Sequence, residues 1–472
     1  MELGFLTISE LQNALQCGDL TSEALITGLL SRIGMVDPNV NAFVEVYGEE
    51  ALLAARQSDQ RRSRGELRSN LDGVPFAAKD LFDVQGHITL AGSKALPATP
   101  AAETAHAIAQ LIDKGMILLG KTHTVEFAYG SWGTNPSSKT PVNPFDLDVA
   151  RVPGGSSSGS GVAVAAGLVP VALGTDTGGS ARTPAALCGV VGLKTSVGAI
   201  GRSGVRPLAL LFDAVGPMTR SVEDAATILS ALQGEDWGDP STMGLSLEDP
   251  TVDLDRGVAE LVLRYPPIES LSVAEPGILA RFRETLSEFK EMGAVLEEKP
   301  LPRPLETYAT VTANMITVEA WGQYQSIVEA QDSLVDPEIA KRMSRGAQIT
   351  LSDYLGYLEQ RRVMQDEFQH YLSGADALLI PTSPITAKPL EGIHDTAAPF
   401  GLFTRFANLM DLAAVSIPMG FAGSLPTGVQ IVVRRYSDHL ALRVARALEM
   451  RRGGLFVAPS GYTSAGKHQD AN

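Results

Sequence analysis

Short apolar runs alternate along this chain with longer stretches whose apolar residues recur at helical spacing. Residues 8–60 follow the helical pattern, with charged residues between the apolar ones, and predict two helices. Thr7 and Glu10 stand at capping-box spacing just ahead of them. Strand-like runs come next: "LDGVPFAAKDLFDV" (71–84), "MILLGKTHT" (116–124), "VPVALGT" (169–175), "VVGLKT" (190–195), "ALLIPTSP" (377–384), "AVSIPMGF" (414–421) and "GVQIVV" (428–433). Helical stretches such as "TAHAIAQLIDKG", "SVEDAATILSALQG" and "ILARFRETLSEFKEMG" separate them. Strands alternating with helices predict an α/β fold built on a central mixed sheet.

The rhythm breaks at 234–275, which is polar, acidic and rich in Gly and Pro and predicts an exposed loop region. Residues 305–372 predict a helical cover over the sheet. The organisation expected is N-terminal helices over 1–65, a body over 66–458 with 234–375 as its variable part, and a polar tail over 459–472. There is no internal repeat.

Composition narrows the choices. The chain has 472 residues, 44% of them hydrophobic and 19% charged, which is ample for a buried core. A net charge of −16 argues against direct nucleic-acid binding. Two cysteines, Cys17 and Cys188, make neither a disulfide framework nor a zinc site. The N-terminus lacks a basic region and an apolar core of signal-peptide length. The longest apolar stretch, 161–174, contains Pro170 and is too short to span a bilayer. A cytoplasmic protein without a membrane partner is expected.

Gly115–Thr122 matches the phosphate-loop pattern letter for letter, but its variable positions are Met116, Ile117, Leu118 and Leu119. These predict a buried strand rather than a loop wrapped round phosphates. None of the seven histidines lies in a glycine-rich elbow, and no histidine or cysteine spacing suggests a metal. A serine nucleophile would need another base. Lys79 ends the apolar run Val74–Ala78, where desolvation would favour its neutral, proton-accepting form. The alternative for Lys79 is an ordinary surface ion pair with Asp80. Ser180 follows Gly178 and Gly179, whose lack of side chains lets backbone N–H groups converge on developing negative charge. "PGGSSSGSG" (153–161) supplies a second compact turn lined with hydroxyls. Ser–Lys pairs are known substitutes for Ser–His–Asp.

"GGSSSGSGVAVAAGLVPVALGTDTGGSARTPAALCGVVGLKTSVG" (154–198) resembles the signature segment of the amidase signature family of serine hydrolases. Lys79-Asp80, "FAYGS" (127–131), Asn135, "NPFD" (143–146), "GPMTRSVEDAA" (216–226), "PTSP" (381–384), "SIPMGF" (416–421) and "LPTGVQIV" (425–432) resemble family segments in the same order, with 234–375 poorly matched. The resemblance implies one large domain whose mixed sheet carries helices on both faces. It implies a triad of Ser180 as nucleophile, Ser156 as bridge and Lys79 as base, with a cis peptide before Ser156. It also implies an oxyanion hole from the N–H groups of Thr177, Gly178, Gly179 and Ser180, with Ser157 in support. Ser158 departs from the glycine of many members. The activity implied is hydrolysis of a small-molecule amide through an acyl-enzyme, without cofactor or metal, and a homodimer is left open. Tyr129, Gly130, Ser131 and Trp132, with residues from 305–410, are candidate pocket walls. Arg182 and Arg405 could meet a carboxylate or serve structural ion pairs. The alternative implied is the glutamine-hydrolysing A subunit of a tRNA-dependent amidotransferase. Such subunits carry an acidic substrate contact at the place where this chain has Gly401.

Overall fold

The structure is a computed structural model and describes residues 2–393 and 399–463. Among the described residues eleven strands form one sheet: β1 (Phe43–Val46), β2 (Pro75–Lys79), β3 (Ile117–Thr122), β4 (Val171–Asp176), β5 (Val191–Lys194), β6 (Ala214–Thr219), β7 (Val262–Tyr265), β8 (Val295–Glu298), β9 (Ala377–Pro381), β10 (Ala413–Ala422) and β11 (Leu425–Val433). Their order across the sheet is β1-β3-β2-β4-β6-β5-β10-β11-β9-β7-β8. It is mixed: β2 runs parallel to β3 and β4, whereas β4 and β6, and β10 and β11, are antiparallel.

Side chains alternate across this sheet, as the two-residue period of a strand requires. Phe76 and Ala78 of β2, Leu118 of β3, and Val171 and Leu173 of β4 join one apolar cluster. Ala77, Ile117, Leu119 and Ala172 join another. The central strands are thus buried on both faces, which is why they read as unbroken apolar runs. The phosphate-loop look-alike is β3, buried along its whole length.

The helices are α1 (Ile8–Cys17), α2 (Ser22–Val40), α3 (Gly48–Arg64), α4 (His106–Asp113), α5 (Ser158–Ala165), α6 (Arg182–Leu187), α7 (Val222–Leu232), α8 (Pro276–Glu291), α9 (Leu305–Val328), α10 (Pro337–Ser344), α11 (Leu351–Leu372), α12 (Gly401–Leu409) and α13 (Asp438–Arg452). The expected capping box opens α1: the Glu10 amide donates to Thr7 Oγ1 at 3.2 Å, and the Thr7 amide to Glu10 Oε2 at 2.8 Å. Residues 305–372 form α9, α10 and α11, as the helical pattern predicts.

Three expectations need correction. Residues 8–60 hold three helices and a strand, because left-handed Gly18 ends α1 and left-handed Asn41 ends α2, after which β1 pairs with β3. The loop region 234–275 contains β7, which takes an inner place between β9 and β8. β6 was missed because Gly216 and Pro217 read as a turn. Its neighbour requires that glycine: a β-carbon there would run into the Leu193 carbonyl. Of the tail, residues 464–472 lie outside the described residues, and Ser460–Tyr462 form a short 3-10 turn.

Candidate active site

β2 and β4 are parallel neighbours, pairing Ala77 with Ala172 and Ala78 with Leu173. Their C-terminal ends therefore emerge together, the place where open α/β sheets present their chemistry. Lys79 is the last residue of β2 and is fully buried. Its Nζ lies 2.8 Å from Ser156 Oγ and 2.8 Å from Thr175 Oγ1. Burial pulls this amine down to about 7, against the opposing charges of Asp213 and Asp176. Near neutrality a substantial part of it is uncharged and able to accept a proton. The ion pair with Asp80 does not form; Asp80 faces Lys121 instead, at 3.4 Å.

The two Gly/Ser clusters meet. The run between them folds as α5 and β4, which return the chain so that the Ser157 amide donates to the Ser180 carbonyl at 3.1 Å. Ser157 Oγ also donates to the Thr175 carbonyl at 3.1 Å and accepts from the Thr175 amide at 3.2 Å, fastening the first cluster to β4. The Gly155–Ser156 peptide is cis. The Ser156 carbonyl accepts from the Val125 amide at 3.2 Å and from Thr124 Oγ1 at 3.1 Å. Ser180 keeps 8% exposure, and its hydroxyl makes no hydrogen bond with the described residues.

The turn from Thr177 to Ser180 is held from below. The buried Asp176 carboxylate accepts from the Gly179 amide at 2.8 Å and from the Ala181 amide at 3.2 Å. Burial would push Asp176 up, but the Arg182 guanidinium, which donates to both of its oxygens, holds it well below the usual carboxylate range. Arg182 spends its other donors on the Thr404 carbonyl, Gln430 and Asn408. It is a structural residue and is not available to substrate. Thr177 Oγ1 donates to Asp213 at 2.5 Å, fixing the other side of the turn. Gly179 has φ +123°, and a β-carbon there would strike Thr404. Since the Gly179 N–H is committed to Asp176, the amides of Thr177, Gly178 and Ser180 are the donors this turn leaves unpaired among the described residues.

Of the candidate pocket walls, the Ser131 and Trp132 carbonyls accept from the Gly155 and Gly154 amides at 2.8 and 3.1 Å, so their stretch of chain lies directly against the Ser156 loop. Ser131 Oγ is buried without a hydrogen-bond partner among the described residues. Tyr129 contacts Thr317 of α9 at 2.5 Å through its hydroxyl, and Gly130 follows it, half-buried. A cleft of about 680 Å³ lies between Trp132, α9 and α12. Sequence reasoning missed Thr175, Asp176 and Asp213, whereas the α9 wall falls within the 305–410 stretch expected to line the pocket. Among the described residues no cluster of His, Cys, Asp and Glu could hold a metal.

The sequence model of the family described as Amidase matches residues 24–442. The chain belongs to the amidase signature family. It is an enzyme acting on amides, with a single-domain α/β fold whose mixed sheet is flanked by helices. It is similar to the A subunit of the glutamyl-tRNA(Gln) amidotransferase of Chloroflexus aggregans, 35% identical over 95% of this chain and 96% of that one. Among solved structures it resembles an inhibitor-bound vestigial protein complex bearing on the origins of an s-triazine catabolic enzyme, with a TM-score of 0.90, 30% identity, and coverage of 96% of this chain and 100% of that one. It also resembles the native peptide amidase of Stenotrophomonas maltophilia, with a TM-score of 0.84, 29% identity, and coverage of 96% and 98%. No helix among the described residues is long and apolar enough to cross a membrane.

Proposed function

We propose that this amidase cleaves a carboxamide C–N bond through an acyl-enzyme on Ser180, with Ser156 and Lys79 as its proton relay. The observation that supports this most is the buried Lys79 amine, 2.8 Å from Ser156 Oγ and shifted toward its neutral form. Neutral Lys79 takes the Ser156 proton as Ser156 takes that of Ser180, and Ser180 Oγ attacks the amide carbon. The amides of Thr177, Gly178 and Ser180 hold the oxyanion, each donor contributing about 3 kcal/mol by analogy with other serine hydrolases. The tetrahedral adduct collapses with loss of the C–N bond, and the proton returns through Ser156 to the leaving nitrogen. Water then attacks the ester by the same relay, releasing the acid and restoring Ser180. No step requires a cofactor.

Two substrate readings share this chemistry. In one the chain hydrolyses a small amide by itself. In the other it is the glutamine-hydrolysing component of a tRNA-dependent amidotransferase and passes ammonia to partner subunits. The similarity to the Chloroflexus amidotransferase chain, matched over nearly its whole length, supports the second reading better. The glycine at 401, where such chains are expected to carry an acid, supports the first. Ammonia release from a panel of amides, measured on the chain alone and with the other amidotransferase subunits plus glutamyl-tRNA, separates them. Glutamine turnover that appears only with the partners establishes the second reading, and turnover of other amides by the isolated chain establishes the first.

A further inference from the structure

Beside the oxyanion turn lies a cation that no described residue neutralises. Arg405 projects from α12, and its side chain runs along Gly178: a β-carbon on that glycine would stand 3.4 Å from Arg405 Cγ and 3.8 Å from Nε. The first residue of α12 is also cleared for it, since a β-carbon on Gly401 would stand 2.6 Å from Nε and 2.8 Å from Cζ. The guanidinium has no hydrogen-bond or ion-pair partner among the described residues. Its surroundings differ sharply from those of Arg182, whose donors are all matched. Burial lowers Arg405 from its ordinary value, and the nearby charge of Arg342 lowers it further. A half-buried arginine without an acid has given up part of its hydration with no return from the protein.

The cleft that Arg405 enters is walled by Trp132, Leu402, and Ala309 and Ala313 on one face of α9. Its volume of about 680 Å³ suits a small organic ligand. Two further arginines lie near the Tyr129 side of the cleft, although the chain as a whole is strongly acidic. Arg342 donates to the Tyr129 carbonyl and lies 5.2 Å over the Tyr129 ring, and Arg345 adds to the positive potential felt by that phenol. Among the described residues of the lining Glu306, at the exposed rim, is the one acid.

We propose that this cleft receives a carboxylate borne on the amide substrate, with Arg405 as its counter-charge. The inference rests on the amidase reading of the Ser180 site and names its substrate class: ω-amides of short dicarboxylic acids. A carbonyl oxygen held by the Gly178 amide leaves the far end of such a molecule beside Arg405, whose planar fork matches a carboxylate in two hydrogen bonds. The carboxylate thereby sets which amide is presented to Ser180.

The test pairs succinamate with butyramide and glutaramate with pentanamide, molecules of equal length with and without the charge, and follows ammonia release. Wild-type protein should favour the carboxylated member by about 30-fold or more in kcat/KM, the range of a charge-assisted hydrogen bond in a partly desolvated site. Arg405→Met should bring that ratio close to unity, mainly through KM, and Arg405→Lys should restore part of it. On the unaltered protein, succinate should inhibit at lower concentration than butyrate, a comparison that does not depend on how a variant folds. Equal kcat/KM within each pair, an unchanged ratio in Arg405→Met, equal inhibition by the two acids, or no turnover of either carboxylated amide overturns the inference. Ammonia release that survives Ser180→Ala overturns the amidase reading of the site instead.

Discussion

Lys79 Nζ and Ser156 Oγ lie 2.8 Å apart in a site from which the amine has no exposure to solvent. This pair combines the two properties a lysine base requires: contact with the hydroxyl it serves, and surroundings that disfavour its charged form.

The pH profile follows from that burial. Because the Lys79 amine is lowered from 10.5 to about 7, it becomes protonated as the pH falls through neutrality. The kcat/KM for any accepted amide should therefore fall tenfold per unit on the acidic side of about pH 7 and level off above it. A profile flat from pH 5 to 9 would remove Lys79 as the base.

Lys79→Met should abolish turnover without unfolding the protein. Exchanging a desolvated amine for an apolar chain of similar length is near neutral or stabilising. The same shift sets the pH dependence of stability. Between about 7 and 10.5 the unfolded chain holds a Lys79 proton that the native protein lacks, so this group makes native stability rise with pH across that window. Urea denaturation at two pH values should show that the variant has lost this component.

Asp176→Asn should destabilise rather than merely slow the enzyme. Arg182 is fully buried and gives two hydrogen bonds to Asp176, so removing the carboxylate charge leaves a cation uncompensated in the core. The cost should be about 3–5 kcal/mol, read from urea midpoints at constant m-value.

Thr177→Val should act on rate. It removes the bond to Asp213 that steadies one side of the oxyanion turn while leaving every backbone donor in place. The kcat should drop about tenfold or more with KM little changed, because the turn's positioning matters most where charge develops. An increase in KM alone would assign Thr177 to substrate binding.

What the sequence disclosed was local. The glycine–serine clusters, Lys79 at a strand end and the strand inside the phosphate-loop look-alike are patterns within a few residues of each other, and backbone geometry follows from them. The partners that complete the site come from far along the chain. Asp213 lies 36 residues beyond Thr177, and Asn408 lies 226 beyond the Arg182 it binds. A lone polar residue in an apolar run carries no sign of which distant loop it will meet. Strands β7 and β8 escaped for a related reason. Each has four residues, too few for a period to emerge, and they are fixed by pairing with each other and with β9.

The most direct test is to stop the reaction at the acyl-enzyme and locate the adduct. Brief mixing with an accepted amide, acid quench and peptide mass spectrometry should place the acyl mass on Ser180 in wild-type protein and nowhere in Ser180→Ala. An adduct mapped to another residue, or amide hydrolysis at the wild-type rate by Ser180→Ala, would contradict the account.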